Sequence, residues 1–271
     1  MFSVLLSVYY KEKAEYVKEC FESLLNQTVL ANEWVIVEDG PLTADLYTVL
    51  DDYERMYPNL IKRVKLSVNS GLGVALAEGI KACTYEIVAR MDTDDIARAD
   101  RFEKQLEAFK NDEKLDICSS YISEFENTKD EEVAIRKVPI LDGDIKKYQK
   151  KRDAFNHMAV MYKKAAVMEA GNYISCPLME DTYLWVRMIQ NNVKCLNIPE
   201  CLVYARIGQN MYERRGGLSY FFKYRKARQT ILKTGYISYF DYLSTVFVQL
   251  TVALIPNKVR GWIYKNILHR G

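Results

Sequence analysis

The tetrapeptide Asp92-Thr93-Asp94-Asp95 packs three carboxylates into four residues, at the end of the apolar run Tyr85-Glu86-Ile87-Val88-Ala89-Arg90-Met91. Carboxylates that close repel one another unless a cation or several hydrogen-bond donors sit among them. Oxygen ligands on a turn, with positions left for phosphate oxygens, suit Mg2+ or Mn2+, whereas zinc would want histidine or cysteine nearby. For an isolated triplet the competing reading is a solvated acidic loop that caps the next helix. A second acidic pair, Glu180-Asp181, follows Pro177 at the start of a helical pattern. Asp181 there is either a charge complementing the helix dipole or a general base for a hydroxyl proton. Arg90 and Arg187 are the basic residues beside these two motifs. Arg187 lies six residues beyond Asp181, which fits a structural ion pair as well as a contact to a bound anion.

The elements that must position these groups are legible in the hydrophobic pattern. Phe2 to Tyr9 reads as a strand, and Ala14 to Asn26 as a helix whose Val17, Phe21, Leu24 and Leu25 recur at helical spacing. A strand at Trp34 to Val37, a helix at Ala44 to Met56, a strand at Ile61 to Val68 and a helix at Leu72 to Ala82 then lead to the strand that ends in the aspartates. Such βα alternation predicts a mostly parallel sheet with flanking helices, in which ligands gather at the carboxyl ends of strands. Tyr9-Tyr10-Lys11-Glu12, Glu38-Asp39-Gly40-Pro41 and the aspartate cluster all stand at such ends. Beyond Asp100 come a helix through Leu106 and Phe109, a less regular region, and a helix from about Leu178 to Asn192.

At 271 residues and 49% hydrophobic content, the chain can bury a core as one large domain or two small ones. Its net charge of +2 hides an asymmetry: from Arg206 onward there are twelve basic residues against two acidic ones, so the preceding body is acidic. A basic tail on an acidic body points to phosphate-rich partners. Within it, Tyr242 to Ile255 runs 14 residues without charge, short of the roughly 20 needed to span a bilayer. Framed by Lys223 to Arg228 and by Lys258, Arg260, Lys265 and Arg270, this run reads as a segment lying in an anionic headgroup region, or as a helix packed back on the body. The six cysteines, without a CxxC pair, read as reduced and mostly buried, and nothing at the N-terminus resembles a signal peptide, so the expected place is the cytoplasm.

Taken in order, Ser7-Val8-Tyr9-Tyr10-Lys11-Glu12, Ser23-Leu24-Leu25-Asn26-Gln27-Thr28, Val35-Ile36-Val37-Glu38-Asp39-Gly40, Asn69-Ser70-Gly71-Leu72-Gly73, Arg90 to Asp95, Asn156-His157, Gly171-Asn172-Tyr173 and Met179 to Arg187 resemble the family-2 glycosyltransferases of GT-A fold. The resemblance covers most of residues 1–206. It implies an α/β, Rossmann-like donor half at 1–95, an acceptor half at 96–206, and a helical, basic, membrane-associating tail at 207–271.

Carried onto this sequence, the resemblance implies a UDP-sugar donor and Mn2+ or Mg2+ held by Asp94 with help from Asp92, while Asp95 caps or orients. Asp39 would accept from uracil N3–H. Tyr9 would offer a π face to the base, unless it is a core aromatic, and backbone at Ser7 and Val8 would fix the base edge. Glu12, Gly71, Arg90 and Thr93 would complete the donor site. Asp181 would be the base. His157, Glu180, Arg187, Arg214 and Arg215 would face the acceptor, with His157 equally readable as a structural histidine. Glu38 and Pro41 depart from the family's commoner Asp and Ser/Thr.

The tail resembles that of enzymes building bacterial capsular, exopolysaccharide and O-antigen repeat units. It implies transfer of a hexose, with galactose the leading sugar, to a polyprenyl-diphosphate-linked saccharide at the cytoplasmic face of the inner membrane, with no nucleic acid partner. Transfer to polyprenyl phosphate, or a non-catalytic scaffold of the same fold, are the alternatives.

Overall fold

The computed structural model describes residues 1–208 and 217–255. The first half follows from its apolar runs. Strands β1 (Phe2–Val8) and β2 (Glu33–Glu38) are buried nearly throughout, as strands covered on both faces must be. They pair in parallel with each other, β2 with β3 (Ile61–Lys65) and β1 with β4 (Ile87–Arg90). Helices α1 (Ala14–Leu25), α2 (Ala44–Met56) and α3 (Leu72–Ala82) are the crossovers. Thr43 caps α2 by accepting from the Leu46 amide. Gly79 allows α3 to lie directly on the sheet, because a Cβ there would stand 2.3 Å from Leu5 Cδ1.

Beyond the aspartates the sheet departs from the mostly parallel expectation. The short β5 (Ile96–Ala97) and helix α4 (Arg101–Asn111) precede β6 (Leu115–Phe125), β7 (Glu132–Arg136) and helix α5 (Asp142–Tyr148). A 3-10 turn at His157–Ala159, β8 (Met161–Lys163), α6 (Lys164–Glu169), α7 (Glu180–Gln190) and β9 (Lys194–Arg206) follow. The strand order is β3-β2-β1-β4-β8-β6-β9-β5, with β7 on β6. β8 is antiparallel to both β4 and β6, so the sheet changes direction where the aspartate loop leaves β4. β9 runs parallel to β6 with two irregularities near its middle and antiparallel to β5.

Three expected boundaries shorten for local reasons. β3 stops at Lys65, after which the Leu66 amide donates to the Glu38 carbonyl at 2.9 Å. The strand before the aspartates narrows to four residues. The helix expected from Leu178 starts at Glu180 because Leu178 sits at φ 76°, outside helical backbone.

Residues 217–255 of the basic tail fold back on the body. Helices α8 (Gly217–Lys233) and α9 (Tyr239–Leu254) form a hairpin whose Ala227, Ile231, Ile237 and Tyr242 share a core with Cys176, Met179 and Val186. A Ser238/Asp241 capping box starts α9. Arg228, one of the bases expected to frame the apolar run, is buried. It donates from Nε to Thr245 Oγ1 at 3.1 Å and from Nη2 to the Lys150 carbonyl at 2.7 Å. The opposite face of the hairpin leaves Phe222, Tyr239, Phe240, Leu243, Phe247 and Val248 exposed. No helix among the described residues is long and apolar enough to cross a membrane. All six cysteines are free thiols and five are buried.

Candidate functional site

The carboxyl end of β4 delivers the aspartates to one point. Each of Asp92, Asp94 and Asp95 offers an oxygen within 4.8 Å of the others. Arg90, the last residue of β4 and fully buried, forks onto Asp92, with Nη1 donating to Oδ2 at 2.8 Å and Nη2 to Oδ1. Arg90 and, from the end of β9, Arg206 are the cations beside these three acids, and their pull does not offset the crowding. Burial and the Asp92 charge push the Asp94 carboxyl up to about 6. Asp95, buried beside Asp94 and Asp92, is raised well above the carboxylate range. Glu12, from the loop after β1, is pushed up to about 8 by burial, then by Asp94 and Asp92.

Asp95 orients as well as crowds. Its Oδ1 accepts from the Arg206 amide at 2.8 Å, while Oδ2 is buried with no hydrogen-bond partner among the described residues. Mutually raised carboxyls and an orphaned buried oxygen fit a hard divalent cation, which would satisfy both. Arg206, at the end of β9, also donates from Nε to the Asp94 carbonyl at 3.0 Å and lies over the Tyr16 and Phe125 rings. Arg206 belongs to no acidic or glycine motif in the sequence. It pairs with the aspartate loop across more than a hundred residues, and no local signal marks it.

The donor-side residues surround this point. Thr93 Oγ1 donates to the Ser7 carbonyl at 3.2 Å, and the Asp39 amide donates to the Val8 carbonyl at 2.8 Å, so both backbone positions hold loops together. Tyr9 is 36% exposed and meets Tyr10 edge-on, which sets aside its reading as a core aromatic. The Asp39 carboxylate, expected to accept from a uracil N3–H, takes the Ser70 amide at 2.7 Å on Oδ1, and the Gly71 amide at 3.0 Å and Asn69 Nδ2 at 3.1 Å on Oδ2. Gly40 permits this approach: it sits at φ 83°, and a Cβ there would lie 2.4 Å from the Asn69 nitrogen. Asp39 thus orders the glycine turn at the start of α3. Glu38 forms a buried pair with Arg63 at 2.5 Å.

The second acidic motif stands at the head of α7. Gly73 on α3 leaves room for Glu180, whose Cγ would be 2.9 Å from a Cβ at that position, so the starts of α3 and α7 adjoin. Asp181 Oδ1 accepts from the Thr182 amide at 2.7 Å. Burial first, then the Asp153 charge, push the Asp181 carboxyl up to about 7 against the opposing pull of Arg90. Glu180, half-buried, is also raised by burial. Arg90 is therefore felt by both acidic motifs.

His157 is closer to the chemistry than a lone histidine usually is. Its Nδ1 lies 3.9 Å from Asp181 Oδ2, and its Nε2 is 2.9 Å from the Tyr173 hydroxyl. Burial and Arg90 hold it neutral, well below the ordinary histidine range. Arg187 does not form the expected ion pair with Asp181. Its guanidinium donates to the carbonyls of Tyr183 at 3.1 Å, Asn172 at 2.7 Å and Ala170, and so clamps the 170–172 turn. Arg214 and Arg215 lie outside the described residues.

An α/β sheet with an acidic cluster at one strand end and a half-buried carboxylate at an adjoining helix start is the frame of a nucleotide-sugar transferase. Residues 3–167 match the model for Glycosyl transferase family 2, and the chain belongs to that family. It is 37% identical over 269 residues to the Escherichia coli UDP-Gal:alpha-D-GlcNAc-diphosphoundecaprenol beta-1,3-galactosyltransferase, covering 99% of this chain and 97% of that one. It is 35% identical to the amylovoran biosynthesis glycosyltransferase AmsE of Erwinia amylovora, covering 98% of both. Among solved structures, the mannosyltransferase PcManGT of Pyrobaculum calidifontis, in complex with GDP-Man and Mn2+, superposes with TM-score 0.65 at 12% identity, covering 96% of this chain and 71% of that one. S. aureus TarS 1–349 in complex with UDP-GlcNAc superposes with TM-score 0.61 at 17% identity, covering 99% and 72%. The two likenesses establish the GT-A-like fold, and the family match and the sequence relatives make the chain a glycosyltransferase.

Proposed function

We propose that this protein is a divalent-cation-dependent, inverting hexosyltransferase that moves galactose from UDP-galactose to a saccharide on a polyprenyl diphosphate, at the cytoplasmic face of the bacterial inner membrane. The observation that carries the reading is the pairing of two acidic sites around Arg90: the Asp92, Asp94 and Asp95 cluster, and Asp181 at the start of α7. Mn2+ or Mg2+ on Asp94, with Asp92 and Asp95, would offset the charge that develops on the departing diphosphate. Arg90 fixes the Asp92 carboxylate, and Asp39 orders the turn before α3. Asp181, with a proton affinity matched to neutral pH, takes the acceptor hydroxyl's proton. One base acting opposite the leaving group gives inversion at the anomeric carbon. Neutral His157 sits where it can orient that hydroxyl.

The donor and acceptor follow the E. coli relative, whose name states UDP-Gal and GlcNAc-diphosphoundecaprenol. The test is transfer of labelled galactose to a synthetic N-acetylglucosamine-diphosphoryl lipid, with polyprenyl phosphate as a parallel acceptor. The account expects a β-linked disaccharide on the first and nothing on the second. Product only on polyprenyl phosphate would move the assignment to lipid monophosphosugar synthesis.

The α8–α9 hairpin suits an anionic membrane surface. Phe240 is 73% and Phe247 70% exposed, beside exposed Lys223, Arg225 and Lys226 on α8 and Lys151, whose Nζ lies 6.0 Å from the Phe240 ring. The double substitution Phe240→Ser, Phe247→Ser is expected to weaken binding to phosphatidylglycerol vesicles by about tenfold or more. Co-sedimentation that is unchanged by the pair would remove this surface from the account.

A further inference from the structure

Asp153 belongs to no motif singled out in the sequence, yet it touches the machinery from behind. It lies in the loop after α5, where Gln149 Nε2 donates to its Oδ1 at 3.4 Å and Arg136 Nη2 to its backbone carbonyl at 3.4 Å. The Thr182 hydroxyl donates to Asp153 Oδ1, while the same hydroxyl stands 3.5 Å from Asp181 Oδ1. A hydroxyl has one proton to give, and two carboxylates compete for it. Here it goes to Asp153. Asp181 keeps only the Thr182 amide at 2.7 Å.

We infer that Asp153 is a positioning residue for Asp181, acting through Thr182 to hold the hydroxyl proton away from the base and to keep a like charge behind it. Both effects disfavour the ionised form of Asp181 and so strengthen it as a proton acceptor. The other charged or titratable groups around the pair are fixed. Arg90 from β4 opposes the effect, and Glu180 adds to it from α7. His157 is neutral, and the Tyr173 and Cys176 groups are raised by burial and remain protonated at neutral pH. From α8, Arg228 and Tyr224 face Asp153. The Arg228 guanidinium is itself held by Thr245 and the Lys150 carbonyl, so the tail hairpin braces the loop that carries Asp153.

This inference rests on Asp181 being the base. The experiment is the pH profile of kcat/KM for galactose transfer to the N-acetylglucosamine-diphosphoryl lipid, at saturating Mn2+, in the wild type and in Asp153→Asn, Thr182→Val, Thr182→Ser and Asp181→Asn. Asp153→Asn should shift the acid limb to lower pH by about half a unit or more and lower the plateau rate, because a weaker base ionises earlier. Thr182→Val, which keeps the Asp153 charge, should lower the plateau without that acid shift, and Thr182→Ser should restore the wild-type profile. Carbon-13 carboxyl titration of the Asp181 resonance, assigned by its loss in Asp181→Asn, reads the same shift without turnover. An acid limb and a carboxyl titration that coincide in wild type and Asp153→Asn would overturn the role of Asp153. An Asp181→Asn variant with undiminished rate would overturn the base assignment instead.

Discussion

Asp181→Asn is expected to lower kcat by about a thousandfold while leaving the affinity for UDP-galactose unchanged. The amide fills the same space and still accepts from the Thr182 amide, so the start of α7 keeps its geometry. What it loses is the capacity to take a proton. In the wild type, the raised Asp181 carboxyl makes activity rise with pH through about 7. Below that pH the base is already protonated, and above it the ionised form dominates. The variant should lose this limb together with its rate. Steady-state kinetics with calorimetric donor binding separates the two effects. A variant that loses donor affinity in proportion to rate would show that Asp181 binds the nucleotide sugar and is not the base.

The second large effect concerns the cation. Glu12, pushed up to about 8, and Asp94, pushed up to about 6, both lie above their unfolded values, so the folded protein binds more protons than the unfolded chain between about pH 4 and 8. Their contribution is therefore most favourable below the unfolded carboxylate range and is lost as pH rises through 6 and then 8. Metal-free protein should lose stability across that window. At pH 7.5, Mn2+ at a hundred times its dissociation constant would stabilise by about 2.7 kcal/mol, a rise in Tm of roughly 5–10 °C for a chain of this size. The rise should shrink at pH 5, where protons compete for the same oxygens, and fall below about 2 °C in Asp94→Asn. An equal rise in Asp94→Asn and wild type, measured by thermal melting, would place the ion elsewhere.

The first 95 residues were legible because their signals are local. The apolar periodicity that gave helices at Ala44 to Met56 and Leu72 to Ala82 matches α2 and α3 residue for residue, and the aspartate turn falls where a parallel strand ends. Beyond the aspartates, the helices α4 and α7 were legible and the strands were not. β6 buries Ser119, Ser120, Ser123 and Glu124, so no apolar run announces it. Ser119 finds its partner at long range, where its Oγ donates to the Asn156 carbonyl at 3.0 Å.

The site divides along the same line. The Asp92 to Asp95 and Glu180-Asp181 motifs could be read from spacing, while Arg206 and Asp153 reach them only through tertiary structure, and the single-residue patterns around them are unremarkable. Arg187 and Arg228 show the limit of reading charge from sequence. Each sits in an acidic or basic context on paper, yet Arg187 spends its guanidinium on backbone carbonyls and Arg228 divides its own between the Thr245 hydroxyl and the Lys150 carbonyl.

The most direct test of the central claim is calorimetric titration of the full chain with UDP-galactose, with and without Mn2+, alongside UDP-glucose, UDP-N-acetylglucosamine and the Asp94→Asn variant. The account predicts Mn2+-dependent binding of UDP-galactose in preference to the other donors, lost in Asp94→Asn. Absence of uridine-nucleotide binding under either condition, or equal binding by the variant, would contradict it.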